Sequence, residues 1–360
     1  MSPAQLIMWR VAIGATLSIA IAYGVAWPLA FLMPLFTVMF LAMPGPWFGW
    51  KVAWSIIKRL LTGLLCGLII SEFFIRMPLV CVPLYALLFF YIFYNDAKAP
   101  PMTTLFMTMG ITMVPIIGMQ SAMASHMIVA YLFVNMTSGF VMKWLFHLFL
   151  PDSLVKVDPN APKPKRPQKP PIPSDEERAR LALVSTVVST SAVVIFYSLN
   201  LVQYSLAMIY ICMMAGAPNT NASLMVMKAN SKACVIGGIA IIIVYNLLVA
   251  VPTYAFLVVL SIVVSIFFAQ KMTSGQPSAK AWMSGFTTYL VLLGSSTGVD
   301  TSASANFYLR IAQVLFAGVF CIGAIVVTEH LLQRRQERKE RGRFYKTREM
   351  LGNLLSSRAK

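Results

Sequence analysis

Residues 151–180 read PDSLVKVDPNAPKPKRPQKPPIPSDEERAR, the one long polar run in a chain that is otherwise almost continuously apolar. Prolines at Pro151, Pro159, Pro162, Pro164, Pro167, Pro170, Pro171 and Pro173 remove backbone donors and fix φ, which excludes packed helix or central strand and leaves an extended, hydrated segment. Lys156, Lys163, Lys165, Arg166 and Lys169 repel one another and extend it further. It ends where Ser174 and Glu177 form an S-x-x-E capping box, the signature of a helix start. The run therefore reads as a linker between two blocks of similar length.

With 58% hydrophobic and 11% charged residues, no water-soluble domain could cover its own surface, so the chain reads as a polytopic membrane protein. Period-2 alternation is missing, which excludes a barrel and makes the fold all-α. Leu6 to Gly24 reads as a retained membrane helix rather than a signal peptide, because a second apolar run follows at once. Cys66, Cys81, Cys212, Cys234 and Cys321 lie scattered without metal-type or redox spacing, and His126, His147 and His330 are isolated. No metal site, cofactor motif or catalytic set can be assembled from them, and no enzyme is expected.

Six apolar runs precede the linker, at 6–24, 27–43, 52–71, 78–94, 102–119 and 126–148. Six follow it, at 181–199, 201–217, 233–250, 252–270, 281–298 and 307–330. The landmarks recur at an offset near 170: Arg10 and Arg180 open the first run, Pro46 and Pro218 follow the second, Lys58/Arg59 and Lys228/Lys232 precede or open the third, and Pro78 and Pro252 open the fourth. The expectation is about twelve transmembrane helices in two parallel six-helix repeats: a first half at 1–150, a cytoplasmic linker at 151–180, a second half at 181–332 and a basic tail at 333–360. With both termini cytoplasmic, 27 of the 29 Lys and Arg residues fall inside and only Arg76 and Arg310 outside, as the positive-inside rule requires. The net charge of +17 is then topology and attraction to anionic lipid, so the lipid bilayer and not nucleic acid is the expected partner.

Small residues at Gly14-x-x-x-Ser18 and Gly63-x-x-x-Gly67 read as close helix contacts. The fifth run of each half is broken by glycine or proline and rich in hydroxyls, a pattern that can mark a transporter's substrate site. Thr104, Thr108 and Thr112 fall on one helical face, and Thr287, Thr288 and Ser295 occupy the matching run; these six are the candidate substrate-binding residues. The bland alternative is that each hydroxyl bonds its own helix at i−4. Lys58, Arg59, Asp96 and Arg310 are candidate entrance or coupling groups, because charges at membrane depth are costly unless they pair or meet water. For Lys58 and Arg59 the competing reading is snorkelling to the cytoplasmic surface. Asn135, Asn246 and Gln313 read as interhelical glue, and the basic tail after Gln333 as an anchor on the cytoplasmic leaflet.

The opening RVAIGATLSIAIAYGVAWPLAFLMPLFTVMFLAMPGP, followed by Lys58-Arg59-Leu-Leu-Thr-Gly-Leu-Leu-Cys-Gly67, resembles the membrane module of the fusaric-acid-resistance and aromatic-acid-exporter-like bacterial inner-membrane proteins. The likeness is one of pattern, clearer in the first half, and carries over no family binding residue. It implies a multi-pass inner-membrane exporter of small organic anions, aromatic carboxylates above all, driven by protons and working with a periplasmic membrane-fusion adaptor. A homo-oligomer is compatible with it. Larger members carry cytoplasmic domains where this sequence has a linker and a short tail. The alternatives are a membrane scaffold without transport activity and a major-facilitator-type carrier, although PGPWFGWKVAWSIIKR lacks the acidic-Arg, Gly-rich signature of that class.

Overall fold

The computed structural model of the protein describes residues 1–27, 29–43, 49–96, 103–155, 174–201, 220–276 and 278–296, together with residues 207–208, 211–212, 215, 312–313, 315–317, 319–328, 330–331 and 334. Among these residues every regular element is helical. In chain order they are α1 (Pro3–Gly24), α2 (Leu32–Leu41), α3 (Trp50–Ile69), α4 (Pro78–Asp96), α5 (Thr103–Gly118), α6 (Ala122–Phe149), α7 (Asp175–Ser198), α8 (Thr220–Ala250), α9 (Tyr254–Met272) and α10 (Ala279–Ser296). A π turn, Ile70–Phe74, extends α3, and a 3-10 turn, Asp152–Leu154, follows α6. A short apolar helix, α11, covers Leu315–Thr328.

Seven helices are long and apolar enough to cross a membrane: α1, α3 with its π turn, α4, α6, α7, the Ser231–Ala250 part of α8, and α9. Helices are the expected solution, since a bilayer offers the backbone no hydrogen-bond partners. The protein is thus a multi-pass helical membrane protein. α2 is ten residues long, about 15 Å at 1.5 Å per residue, and does not reach across a hydrocarbon core of about 30 Å. Linker residues 156–173, most of the run at 201–217, and the tail from residue 335 lie outside the described residues.

Local sequence sets the helix ends. Ser2 caps α1 in a reciprocal box with Gln5, and the Ser174 hydroxyl accepts from the Glu177 amide where α7 begins. α1 and α7 also stop in the same way. The Trp27 amide donates to the Ala22 carbonyl and the Leu201 amide to the Phe196 carbonyl, with Ala26 (φ 51°) and Asn200 (φ 50°) left-handed between them. This is the Schellman arrangement, which an Asn tolerates and which costs an Ala about 1–2 kcal/mol.

Packing crosses between the two blocks. α1 lies on α9 and α2, whereas α7 lies on α4, so the first helix of each block packs against a helix of the other. α3 pairs with α5, and α8 with α10, through glycines that bring backbones together. A Cβ on Gly63 would stand 2.8 Å from the Met107 Cα, one on Gly67 would collide with the Gly110 carbonyl, and one on Gly237 would stand 2.5 Å from the Gly285 oxygen. Side chains there would force the helices apart.

Candidate functional site

Four of the six candidate fifth-helix hydroxyls bond their own helix. Thr108 donates to the Thr104 carbonyl at 2.6 Å and Thr112 to the Thr108 carbonyl at 2.7 Å, both side chains being buried. Thr104 donates to the Asp96 carboxylate across the α4–α5 connection. In α10, Thr287 and Thr288 each donate to the Ser284 carbonyl at 2.9 Å. The Ser295 side chain lies outside the described residues. α5 packs on α3, α6 and α4, and α10 on α8, α9 and α2, so the two hydroxyl rows sit in separate helix pairs and are not brought together. The glycines of these helices serve the close contacts rather than an unwound binding segment: α5 runs unbroken through Pro115.

The polar residues that do converge come from α1 and α6. Arg10 is 4% exposed, Lys143 0% and His147 8%. Lys143 and His147 are spaced i, i+4 on α6, one above the other. Arg10 donates through Nε to the Leu150 carbonyl at 2.9 Å, again to it through Nη2, and pairs with Asp152 at 2.8 Å. Its Nη1 lies 3.2 Å from His147 Nε2, while His147 Nδ1 lies 2.8 Å from the Lys143 carbonyl. A guanidinium can only donate, so Nε2 accepts and Nδ1 carries the proton, which makes this imidazole neutral in the arrangement observed. The Lys143 ammonium donates to the Phe40 carbonyl at 2.7 Å, in the last turn of α2. Cations thus meet the negative carbonyl ends of both α2 and α6. Trp144, the residue after Lys143 on α6, is tilted against Trp50 of α3 at 5.8 Å, and Trp50 stacks on Trp54 at 6.0 Å, both α3 indoles being exposed.

A simpler version occurs on α7. Arg178, 4% exposed, donates to the Tyr94 carbonyl at 2.6 Å at the end of α4, pairs with Asp175 at 2.7 Å, and stands 4.3 Å over the Tyr94 ring. Arg180, the residue marked by the sequence pattern, is exposed. Position within the first turn decides which arginine reaches a neighbouring helix end, and the offset alone does not encode it.

Of the other sequence candidates, Lys58 is exposed and Arg59 half-buried on α3. Arg310 lies outside the described residues. Asn135 and Asn246, expected to bridge helices, donate to carbonyls of their own helices, Tyr131 and Ile242. Composition gave no reason to single out Glu72, a carboxylate inside the α3 span, whose Oε1 lies 3.7 Å from His126 Nδ1. His147 could have been found from its spacing to Lys143. Among the described residues no group of His, Cys, Asp or Glu is arranged to hold a metal ion.

Two grooves lie along the crossing helices. One, of about 450 Å³, is lined by Thr186, Val187, Thr190, Ser191, Val194 and Ile195 of α7 with Ala86 of α4. The other, of about 310 Å³, is lined by Trp9, Ala12, Ile13, Thr16, Leu17 and Ala20 of α1 with residues of α9. Five of the six α1 positions map onto five of the six α7 positions at a constant offset of 174, Trp9 and Ile195 being the exceptions.

A family model described as a protein of unknown function, DUF2955, matches residues 8–146. That span runs from α1 through most of α6 and includes Arg10, Glu72, His126 and Lys143. No curated protein and no solved structure matches the chain.

Proposed function

We propose that the protein is a secondary exporter of small aromatic or amphipathic organic acids across a bacterial inner membrane, driven by the proton gradient. The observation that carries this reading is the buried Arg10, Lys143 and His147 cluster, with Trp144 next to Lys143 on α6 and in ring contact with Trp50. A carboxylate would be drawn by the cations and its ring by the indole faces. Both termini are cytoplasmic in this reading, as the charge distribution favours. The cluster, near the start of α1 and the end of α6, then forms the cytoplasmic mouth. Thr108, Thr112, Thr287 and Thr288, already bonded to their own backbone, take a packing role.

Twelve spans in two parallel six-helix repeats belong to the same proposal. Supporting it are the matched ends of α1 and α7, the two grooves in one register, and the glycine contacts of α3 with α5 and α8 with α10.

The test is labelled 4-hydroxybenzoate in inverted membrane vesicles. Accumulation that needs an imposed proton gradient and collapses with a protonophore is the expected result. Equal counts in vesicles with and without the protein, across a panel of aromatic acids, would end the proposal.

A further inference from the structure

The other face of the first block carries a carboxylate that the transport reading above does not use. Glu72 lies in the π turn Ile70–Phe74, where the Ile75 amide reaches back five residues to the Ile70 carbonyl at 2.9 Å. π turns interrupt an α-helix at a cost and recur at functional sites. Here the turn continues the glycine contact between α3 and α5: Gly67 rests on Gly110, and one turn on, Ser71 rests against Gly118. Ser71 is buried in that contact, while the neighbouring Glu72 reaches α6, its Oε1 3.7 Å from His126 Nδ1, which also lies 2.8 Å from the Ala122 carbonyl of its own helix. The Glu72 side chain is 33% exposed and that of His126 54%, so water reaches both. An ionisable side chain in an apolar span is costly and is retained where charge moves or pairs.

We infer that Glu72 and His126 form the proton-binding site on the extracytoplasmic side, through which the gradient is coupled to export. This rests on the transport reading. A proton taken from the outer water by the Glu72 carboxylate cancels the negative charge facing the His126 imidazole. The attraction that ties the π turn of α3 to the first turn of α6 is lost with it. α3 and α5, in backbone contact, move as one body, so a change at the π turn is passed along that pair. One proton enters through this pair for each acid anion that leaves.

Few other ionisable groups surround the pair. α5 has none across 103–118, and α6 has only His126 before Tyr131. α3 contributes Cys66, with Lys58 and Arg59 toward its far end, and α4 contributes Cys81 and Tyr85, whose hydroxyl donates to the Ile111 carbonyl at 3.1 Å. Arg76, on the turn into α4, is exposed and joins none of the ion pairs among the described residues. Glu72 therefore faces His126 as its nearest titratable group among the described residues, and a variant at either position reports on the other.

The experiment uses the full chain in proteoliposomes, as wild type, Glu72→Gln and His126→Gln. In the first arm, Glu72→Gln loses accumulation of labelled 4-hydroxybenzoate against its gradient, by at least about tenfold, yet still exchanges labelled for unlabelled acid. Accumulation equal to wild type overturns the inference and leaves the transport reading standing. The second arm needs no transport. Infrared difference spectra between acid and neutral pH give a protonated-carboxyl band that disappears in Glu72→Gln and whose midpoint moves in His126→Gln. A band present in Glu72→Gln at full strength, or a midpoint indifferent to His126, overturns the site. If wild type moves no hydroxybenzoate, the transport reading fails and this arm alone decides the proton site.

Discussion

α1 and α7 do the same structural work in different chemical surroundings. Each ends in a Schellman turn, each lines a groove in the same register, and each carries a buried arginine donating to the last carbonyls of another helix, Arg10 at α6 and Arg178 at α4. The carboxylates that meet them are exposed: Asp152 is 55% and Asp175 80% accessible. Around Arg178 the other neighbour is a tyrosine face, whereas Arg10 has Lys143 and His147. Capping a helix end requires one arginine, as α7 demonstrates. On α6 the lysine caps a second helix end, that of α2, and the histidine exceeds the task; the convergence of all three groups is the difference on which the proposed substrate mouth at α1 rests.

The largest expected effect separates the two ends directly. Lys143→Met removes a fully buried ammonium and leaves the Phe40 carbonyl without that donor. Stability in detergent should fall by about 1–3 kcal/mol, while gradient-driven hydroxybenzoate transport falls at least about tenfold, the worth of one charge-assisted bond to the carboxylate. Arg178→Met should lose stability to a similar extent without that transport loss. It removes the bond to the Tyr94 carbonyl and the contact with its ring, costs about 2–3 kcal/mol, and leaves the KM for the acid as it was. Thermal unfolding beside transport kinetics reads both. Equal transport loss in the two variants would reduce the α1 cluster to another helix cap.

A second contrast is between the glycine contacts and a glycine with space. Gly67→Ala and Gly237→Ala place a Cβ against backbone, of Gly110 in one case and Gly285 in the other, where no side chain can move aside. Each should destabilise by about 1–3 kcal/mol. Gly323→Ala on α11 meets nothing within 4 Å and should be neutral or stabilising by up to about 1 kcal/mol. Unfolding midpoints of the three variants test this. A large cost at Gly67 with none at Gly237 would break the equivalence of the two helix pairs on which the repeat reading leans.

These contrasts trace what the sequence could and could not reveal. Helical membrane class was legible from apolar runs, and the start of α7 from Ser174 and Glu177. The Gly63-x-x-x-Gly67 spacing announced a close helix contact, though not that α5 makes it. The crossing of α1 onto α9 and of α7 onto α4 was not legible, because lipid is as apolar as a neighbouring helix and leaves no periodicity to distinguish them. Charge counting placed Lys143 on the inner side but could not say that it is fully buried. It likewise marked Arg180, where first-turn geometry selects Arg178. Glu72 escaped notice because a single carboxylate changes composition little, and its partner lies 54 residues further along the chain.

The smallest expected effect concerns the feature that looked most like a substrate site. Thr108→Val and Thr112→Val remove hydroxyls whose only hydrogen bonds among the described residues run to carbonyls of α5 itself, at Thr104, Leu105 and Thr108. Those carbonyls keep their helical amide donors, so nothing buried is left unsatisfied, and valine fills nearly the same volume. The cost should stay below about 1 kcal/mol, with transport near the wild-type rate. A hydroxyl that contacts the acid would behave otherwise: KM would rise while the unfolding midpoint held. Raised KM in Thr108→Val, with Lys143→Met transporting normally, would move the substrate from the α1 and α6 mouth into the α3 and α5 pair. Hydroxybenzoate kinetics on these two variants, in one preparation, therefore choose between the two locations.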